Sequence, residues 1–450
     1  MEEKPSMTSV ITNPGFLNLW VNQILVQLSF NALNFALIIW VFKLTDSNIA
    51  VAMLMVAISL PAVLWGLFAG VIVDIIDRKK IIMVIDFALS LLFFSLIFLK
   101  GNLLALLGIT FLINTAAQLY SPAEASAIPV IVKRKQLLSA NSVFSATLYS
   151  CFLLGFGLAG PLISHLGINF IFVLGGVLLG IAFLLSLSFP SIKTVAGKEE
   201  EKLIKVLSGK HYVKLWSFGI SEIKETIRLI RGKLPVLTSI AILAGVQMII
   251  GTMAVLSPGF LEKSLQIKAT DASYVLIIPL GLGIVIGGLL LGKFGQGLIR
   301  RRLVSRSILL GGLLLFSVGI APLISPAIRY FHAPRPPLSK VLVAGSFLIG
   351  IILVSVLIPS QTVLQENTPE EDRGKVFAVL GVAMAGLSLG PVLLSGLLAD
   401  LFGTTPIFIG LGSTVILAGL FGLKPSLFFK KEHLSYRVRE FLGLGHWEGK

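Results

Sequence analysis

The sequence predicts an all-α membrane protein of twelve transmembrane helices, arranged as two pseudo-symmetric six-helix bundles. Three observations predict it. Charged residues make up 13% of the chain, about half the ~25% of a typical soluble domain, and mean hydropathy is +0.94. The apolar excess is gathered into twelve stretches, near 15–42, 48–73, 81–99, 103–124, 137–164, 168–190, 234–261, 272–295, 303–324, 340–364, 374–401 and 404–427. Each is close to the about 20 apolar residues that a helix needs to cross a bilayer. A basic segment, 191–233, separates the first six from the last six. The expected organisation is a cytoplasmic N-terminus (1–14), a first bundle (15–190), a central cytoplasmic loop (191–233), a second bundle (234–428) and a basic cytoplasmic tail (429–450). The spans use most of the chain, so no catalytic domain is left over and the protein is not expected to be an enzyme.

Taken in order, the first span is unusually polar. Gln23, Gln27, Asn31 and Asn34 recur at helical spacing and share one face. The second ends in "GVIVDIIDRKK", where Gly66 and Gly70 permit close helix approach and Asp74 and Asp77 precede Arg78, Lys79 and Lys80. Asp86 lies a few residues into the third span. The fourth carries Thr110, Asn114 and Gln118, is ended by Pro122 and closes on Glu124. The fifth carries Asn141, Ser145 and Tyr149 on one face and Gly160-Pro161 further on, with Cys151, the lone cysteine, between them.

The central loop contains "SEIKETIRLIR", with Ile223, Ile227 and Ile230 on one helical face and Lys224, Arg228 and Arg231 on another. That pattern predicts a basic amphipathic helix, either lying on the membrane surface or solvated. The second half repeats features of the first. "GGLLLGKFGQGLIRR" (287–301) aligns with "GLFAGVIVDIIDRKK" (66–80), one residue out at the first glycine, so that Gly292 matches Gly70, Arg300 matches Arg78 and Gln296 takes the place of Asp74. "LGPVLLSGL" (389–397) aligns with "AGPLISHLG" (159–167), so Gly390-Pro391 matches Gly160-Pro161, and Pro359 ends a fourth span as Pro122 does. Gln247, Thr252, Ser355 and Gln361 are the sparser polar positions of this half.

The net charge of +15 would suggest nucleic acid in a soluble protein. Its distribution excludes that. With the N-terminus in the cytoplasm, seven of the 37 Lys and Arg fall outside: Lys43, Lys100, Lys263, Lys268, Arg329, Arg335 and Lys340. The other 30 fall inside, a bias that places both termini in the cytoplasm of an inner-membrane protein. No cleavable signal peptide is evident. Gly155-Phe-Gly157-Leu-Ala-Gly160 spells a dinucleotide fingerprint, but inside an apolar span with no preceding strand. The five histidines have no ligand spacing. No metal and no cofactor are expected.

These features together resemble the major facilitator superfamily, and within it the branch that includes macrolide-efflux proteins and a siderophore exporter. The loop between the second and third spans is similar to the family signature through Gly70, Asp74, Asp77, Arg78 and Lys79, with Ile75 and Asp77 departing from its usual Arg and Gly. "SPAEASAIPVIVKRKQLLSAN" (121–141) and "EEDRGKVFAVLG" (370–381) look like the same branch. The resemblance implies that Asp74 faces the start of the eleventh span, near Arg373 and Gly374, when the cytoplasmic side closes. It implies Glu124 as the partner of Arg78, and Gly160-Pro161 as an antiporter-type or simply kinked helix contact. It also implies that spans 1, 4, 7 and 10 line a central cavity, with the polar stripes facing cargo or serving as glue between helices. No Asp, Glu, Lys or Arg lies near the middle of a span, which leaves Asp86 and Glu124 as proton-coupling candidates or structural pairs. The expected function is a secondary active transporter working by alternating access, exporting lipophilic or amphipathic small molecules by proton antiport. Alternatives are a lipid or lysolipid flippase on the same fold, and a non-transporting membrane receptor or scaffold. The expected partners are the lipid bilayer, a small-molecule cargo and protons, with no nucleic acid, and the chain is expected to act as a monomer.

Overall fold

A computed structural model describes residues 10–189, 228, 233–294, 300–330, 338–369 and 373–423. The stretch expected to form a central amphipathic helix, apart from Arg228, and the basic tail lie outside these residues. Twelve of the described helices are long and apolar enough to cross a membrane. They are α1 (Pro14–Thr45), α2 (Asn48–Ile75), α3 (Arg78–Leu99), α4 (Leu103–Ile131), α5 (Leu137–Leu166), α6 (Ile168–Leu187), α7 (Leu234–Gly259), α8 (Ile278–Phe294), α9 (Arg300–Tyr330), α10 (Leu338–Glu366), α11 (Arg373–Phe402) and α12 (Thr404–Leu423). No strand occurs among the described residues.

Local chemistry explains where several of these helices begin and end. Pro14 opens α1, where a missing N–H costs nothing. Asn13 caps it, accepting from Gly15 N at 3.0 Å, and its own amide donates to Ile131 O at 3.1 Å, tying the start of α1 to the end of α4. At the other end of α1, Trp40 donates to Lys100 O just beyond α3 (2.9 Å). The breaks between α5 and α6 and between α11 and α12 are one residue long. Gly167 and Gly403 fill them at φ of 79° and 83°, a left-handed conformation that glycine adopts without cost. The two breaks fall at equivalent places in the two halves.

The chain divides into two compact units, residues 1–46 with 53–225 and residues 47–52 with 226–450. In the first, α1 packs on α5 and α6, and α3 on α4 and α6. In the second, α7 packs on α11, α9 on α10 and α12, and α8 on α10. The pairs 3–6, 1–5 and 3–4 thus recur as 9–12, 7–11 and 9–10. Between α8 and α10 a Cβ on Gly283 or Gly350 would strike the backbone carbonyl of Phe347 or Leu280. Small residues at such crossings let helix backbones meet where no hydrophobic force drives them together.

The short segment Ser47–Ala52, the start of α2, groups with the second unit. Asp400 near the end of α11 holds it. Its carboxylate accepts from Ser47 Oγ (2.6 Å), Asn48 N (2.7 Å), Asn48 Nδ2 (2.8 Å) and Ile49 N (3.0 Å). An anion at a helix N-terminus satisfies otherwise orphaned N–H groups and complements the helix dipole.

Candidate functional site

The first unit buries a connected polar cluster drawn from four of its helices. Asn22 of α1 and Asp86 of α3 are fully buried, and Tyr120 and Glu124 of α4 are 3% and 6% exposed. Asn22 Nδ2 donates to Asp86 Oδ2 at 2.8 Å and to the Ala182 carbonyl of α6 at 2.9 Å. Tyr120 Oη lies 2.7 Å from Asn22 Oδ1 and 3.1 Å from Glu124 Oε1. Asp86 Oδ1 is buried with no hydrogen-bond partner among the described residues. The helices bring these groups together by simple spacing. Tyr120 and Glu124 are one turn apart on α4 and face the same way. At 1.5 Å per residue, Asp86 lies about 12 Å along α3 from Arg78, Asn22 about 12 Å along α1 from Pro14, and Glu124 about 10 Å from the end of α4.

Among the described residues the cluster holds two carboxyl groups and no cation. The hydrogen-bond partners of Asp86 and Glu124 among the described residues are neutral, Asn22 for the one and Tyr120 for the other. An ionised group in a membrane interior is costly unless paired, and such residues mark ion pathways. The arrangement can therefore hold and release a proton.

Arg78 was expected to pair with Glu124, and the geometry differs. Glu124 is turned to Tyr120, while Arg78 Nε is buried without a partner among the described residues. The reason is depth: Arg78 opens α3 at one end of the unit, whereas Glu124 faces inward two turns from that end of α4. Asp77 and Lys79 each fasten a helix end. Asp77 is the N-cap of α3, accepting from Lys79 N at 3.0 Å. Lys79 Nζ donates to Leu187 O (2.8 Å) and Phe189 O (2.7 Å), closing the exposed carbonyls at the end of α6.

The polar stripes divide. Gln23 is buried, with its amide 3.4 Å from Phe144 O of α5, and Asn31 returns its amide to Gln27 O at 2.8 Å while its Cβ abuts Gly155. This edge of the α1 stripe is a seam with α5 and not an open face. Gln27 and Asn34 are half-buried. Thr110 and Asn114 are buried too, Asn114 donating to Thr110 O at 2.9 Å, and Gln118 is half-buried. Asn141, Ser145 and Tyr149 lie exposed along one face of α5. Gln247 is half-buried and Gln361 exposed. Pro161 and Pro391 sit inside α5 and α11, both of which continue through them; Gly160 is buried, Gly390 exposed. Gly66 is half-buried in α2. Gly70 and Asp74 lie on the last turns of α2, and Arg373 and Gly374 open α11, but their side-chain surroundings fall outside the described residues. No group of three or more His, Cys, Asp or Glu comes together as a metal site among the described residues.

Asn22 and Tyr120 are the members that sequence reasoning missed. A signal existed: Asn18, Asn22 and Ser29 form a second stripe on α1, rotated from the amide stripe toward α6. Ser29 Oγ approaches Gly175 O of α6 at 3.4 Å, in keeping with that face.

Twelve membrane-crossing helices in two six-helix units, with a polar cluster buried in one of them, define a multi-pass membrane transporter. The chain belongs to the Major Facilitator Superfamily, whose family model matches residues 19–305 and 253–443. Macrolide efflux protein A of Streptococcus pyogenes is 25% identical over 422 residues, covering 89% of this chain and 93% of that protein. Multidrug efflux pump Tap of Mycolicibacterium fortuitum is 26% identical over 376 residues, covering 80% and 83%. Among solved structures, a bacterial homologue of the human lysosomal transporter Spinster superimposes with a TM-score of 0.67 at 15% identity, over 94% of this chain and 98% of that one.

Proposed function

We propose that this transporter exports lipophilic or amphipathic small molecules in exchange for protons, by alternating access, from the cytoplasmic side of a cell membrane. One observation carries the reading: Asp86 and Glu124 are buried together in the first unit with neutral hydrogen-bond partners and no cation. A structural ion pair needs an opposite charge, and a packing contact is better served by apolar side chains. A group that must be neutral to stay buried and charged to release its proton is suited to coupling. The efflux function of the macrolide and multidrug relatives supports export as the direction. The exposed face of α5, with Asn141, Ser145 and Tyr149, offers hydroxyl, amide and aromatic contacts without fixed charge, which suits cargo of mixed polarity.

The test is transport by purified protein in liposomes under an imposed pH gradient, with a macrolide, a lipophilic cationic dye, a catecholate chelator and a lysophospholipid as cargoes. Gradient-driven accumulation is expected for at least one of the first three. Asp86→Asn and Glu124→Gln are expected to lose accumulation at least tenfold while retaining exchange of cargo without a gradient. Accumulation driven by sodium instead of protons, or undiminished in both variants, would sink the coupling assignment. Movement of the lysophospholipid alone would favour a flippase.

A further inference from the structure

The hydrogen atoms of the buried cluster can be counted, and the count gives Tyr120 and Asn22 a role. Asn22 Nδ2 spends its two hydrogens on Asp86 Oδ2 and on Ala182 O. A backbone carbonyl only accepts, so the amide cannot be flipped, and Asn22 Oδ1 must face Tyr120. That oxygen accepts and never donates, so the 2.7 Å contact uses the one phenolic hydrogen of Tyr120. Nothing then remains for the 3.1 Å contact between Tyr120 Oη and Glu124 Oε1. With one phenolic hydrogen, Tyr120 can donate to Asn22 or to Glu124, and both contacts are satisfied together only when Glu124 brings its own proton. Protonation of Glu124 therefore satisfies every group of the cluster's Glu124–Tyr120–Asn22 arm, in a one-way chain running Glu124 to Tyr120 to Asn22 to Asp86.

Removing that proton leaves two acceptors for one hydrogen. A carboxylate is a stronger acceptor than an amide, so the Tyr120 hydroxyl turns to Glu124, and Asn22 Oδ1 is left buried without a donor. We propose that Tyr120 and Asn22 are the positioning pair that converts loss of the Glu124 proton into release of α1 from α4. The step balances simply. The O–H bond of Glu124 breaks and its proton passes to water, while the Tyr120 hydroxyl rotates without losing its own hydrogen. The Asn22 amide has no proton to pass on, so Asp86 and Glu124 exchange protons with water separately. The helices packed on α4 are α1, α3 and α5. The ionisable groups acting on Tyr120 and Glu124 are each other and Asp86 of α3, with none contributed by α1, α5 or α6 among the described residues. The inference rests on the reading of this cluster as the coupling site.

The experiment uses the full chain in nanodiscs, in a Cys151→Ala background, with spin labels at Leu17→Cys of α1 and Val130→Cys of α4, both exposed. Label distances are compared at mildly acidic and alkaline pH, and the infrared difference spectrum is read for a protonated carboxyl band. Wild type is expected to shift its distance distribution and to show a band that Glu124→Gln removes. Glu124→Gln should hold the acid-form distance at both pH values, because its amide donates to Tyr120 as the protonated acid does. Tyr120→Phe should lose the shift and move the band to higher frequency, since the acid has lost its acceptor. Asn22→Leu should lose the shift with the band in place, because Tyr120 is still present; a purely structural role would not separate these two variants. If Tyr120→Phe and Asn22→Leu keep the wild-type shift while Glu124→Gln abolishes it, the transducing pair is wrong and the coupling site stands. If Glu124→Gln keeps the shift, the coupling site itself fails. No shift in wild type, or no band dependent on Glu124, overturns the proposal.

Discussion

Asp77 and Lys79 stand two residues apart and fasten opposite kinds of helix end. The Asp77 carboxylate satisfies the start of α3, and the Lys79 ammonium satisfies the end of α6. Read along the chain, both belong to the charged end of "GVIVDIIDRKK". The cap was legible in principle, since Asp before a helical pattern is a start signal. The reach of Lys79 was not, because its acceptors lie in Leu187 and Phe189, far off in sequence. The same limit hid Asn22, whose partners come from three other helices, while Asp86 and Glu124 stood out because acids inside apolar spans are rare. Asp77→Ala is expected to lower stability by about 1 kcal/mol, the usual loss for an N-cap, with Asp77→Asn near wild type because an amide oxygen caps as well. Lys79→Met should cost about 1.5–3 kcal/mol, the range for hydrogen bonds to a charged group, reduced by whatever solvent reaches the ammonium. Thermal unfolding in detergent measures both. Equal damage from Asp77→Ala and Asp77→Asn would remove the capping role.

The positions of the helices were readable from hydropathy alone, because crossing a bilayer fixes a length and forbids charge over it. The use of each helix face was not. Helical spacing places Gln23, Gln27, Asn31 and Asn34 on one side of α1, but spacing does not say which neighbour that side meets. The structure turns one edge of it onto α5, where Gly155 admits Asn31 and the Phe144 carbonyl receives Gln23. The stripe is therefore part seam and part open. In a Cys151→Ala background, Gln27→Cys and Asn34→Cys are expected to react with a water-soluble maleimide, with Gln23→Cys at least tenfold slower. Equal reaction at Gln23 would mean that the α1–α5 seam opens in the membrane. Protection at all four positions, Asn31 included, would assign the whole stripe to helix contacts and leave the exposed face of α5 as the polar surface of this unit.

At the scale of the whole chain, parity and charge answer different questions about orientation. Each half contributes six membrane-crossing helices. An even number per half requires the N-terminus, the segment between the halves and the C-terminus to share one side, whichever side that is. Charge is expected to choose the side: seven of 37 Lys and Arg fall opposite the termini in this count, and a basic side is expected to stay in the cytoplasm. Reporter domains fused after Lys233 and at the C-terminus are therefore both expected inside, with a tag in the turn after Lys100 outside. Opposite readings at the first two sites would break the even count. Matching external readings would keep the count and reverse the charge assignment. That second outcome bears on the mechanism as well. Asn22, Asp86 and Glu124 all lie nearer the ends of α1, α3 and α4 that carry Pro14, Arg78 and Ile131 than the opposite ends. With those ends in the cytoplasm, the shorter path from Glu124 to water leads inward, the side on which an exporter driven by entering protons must release them.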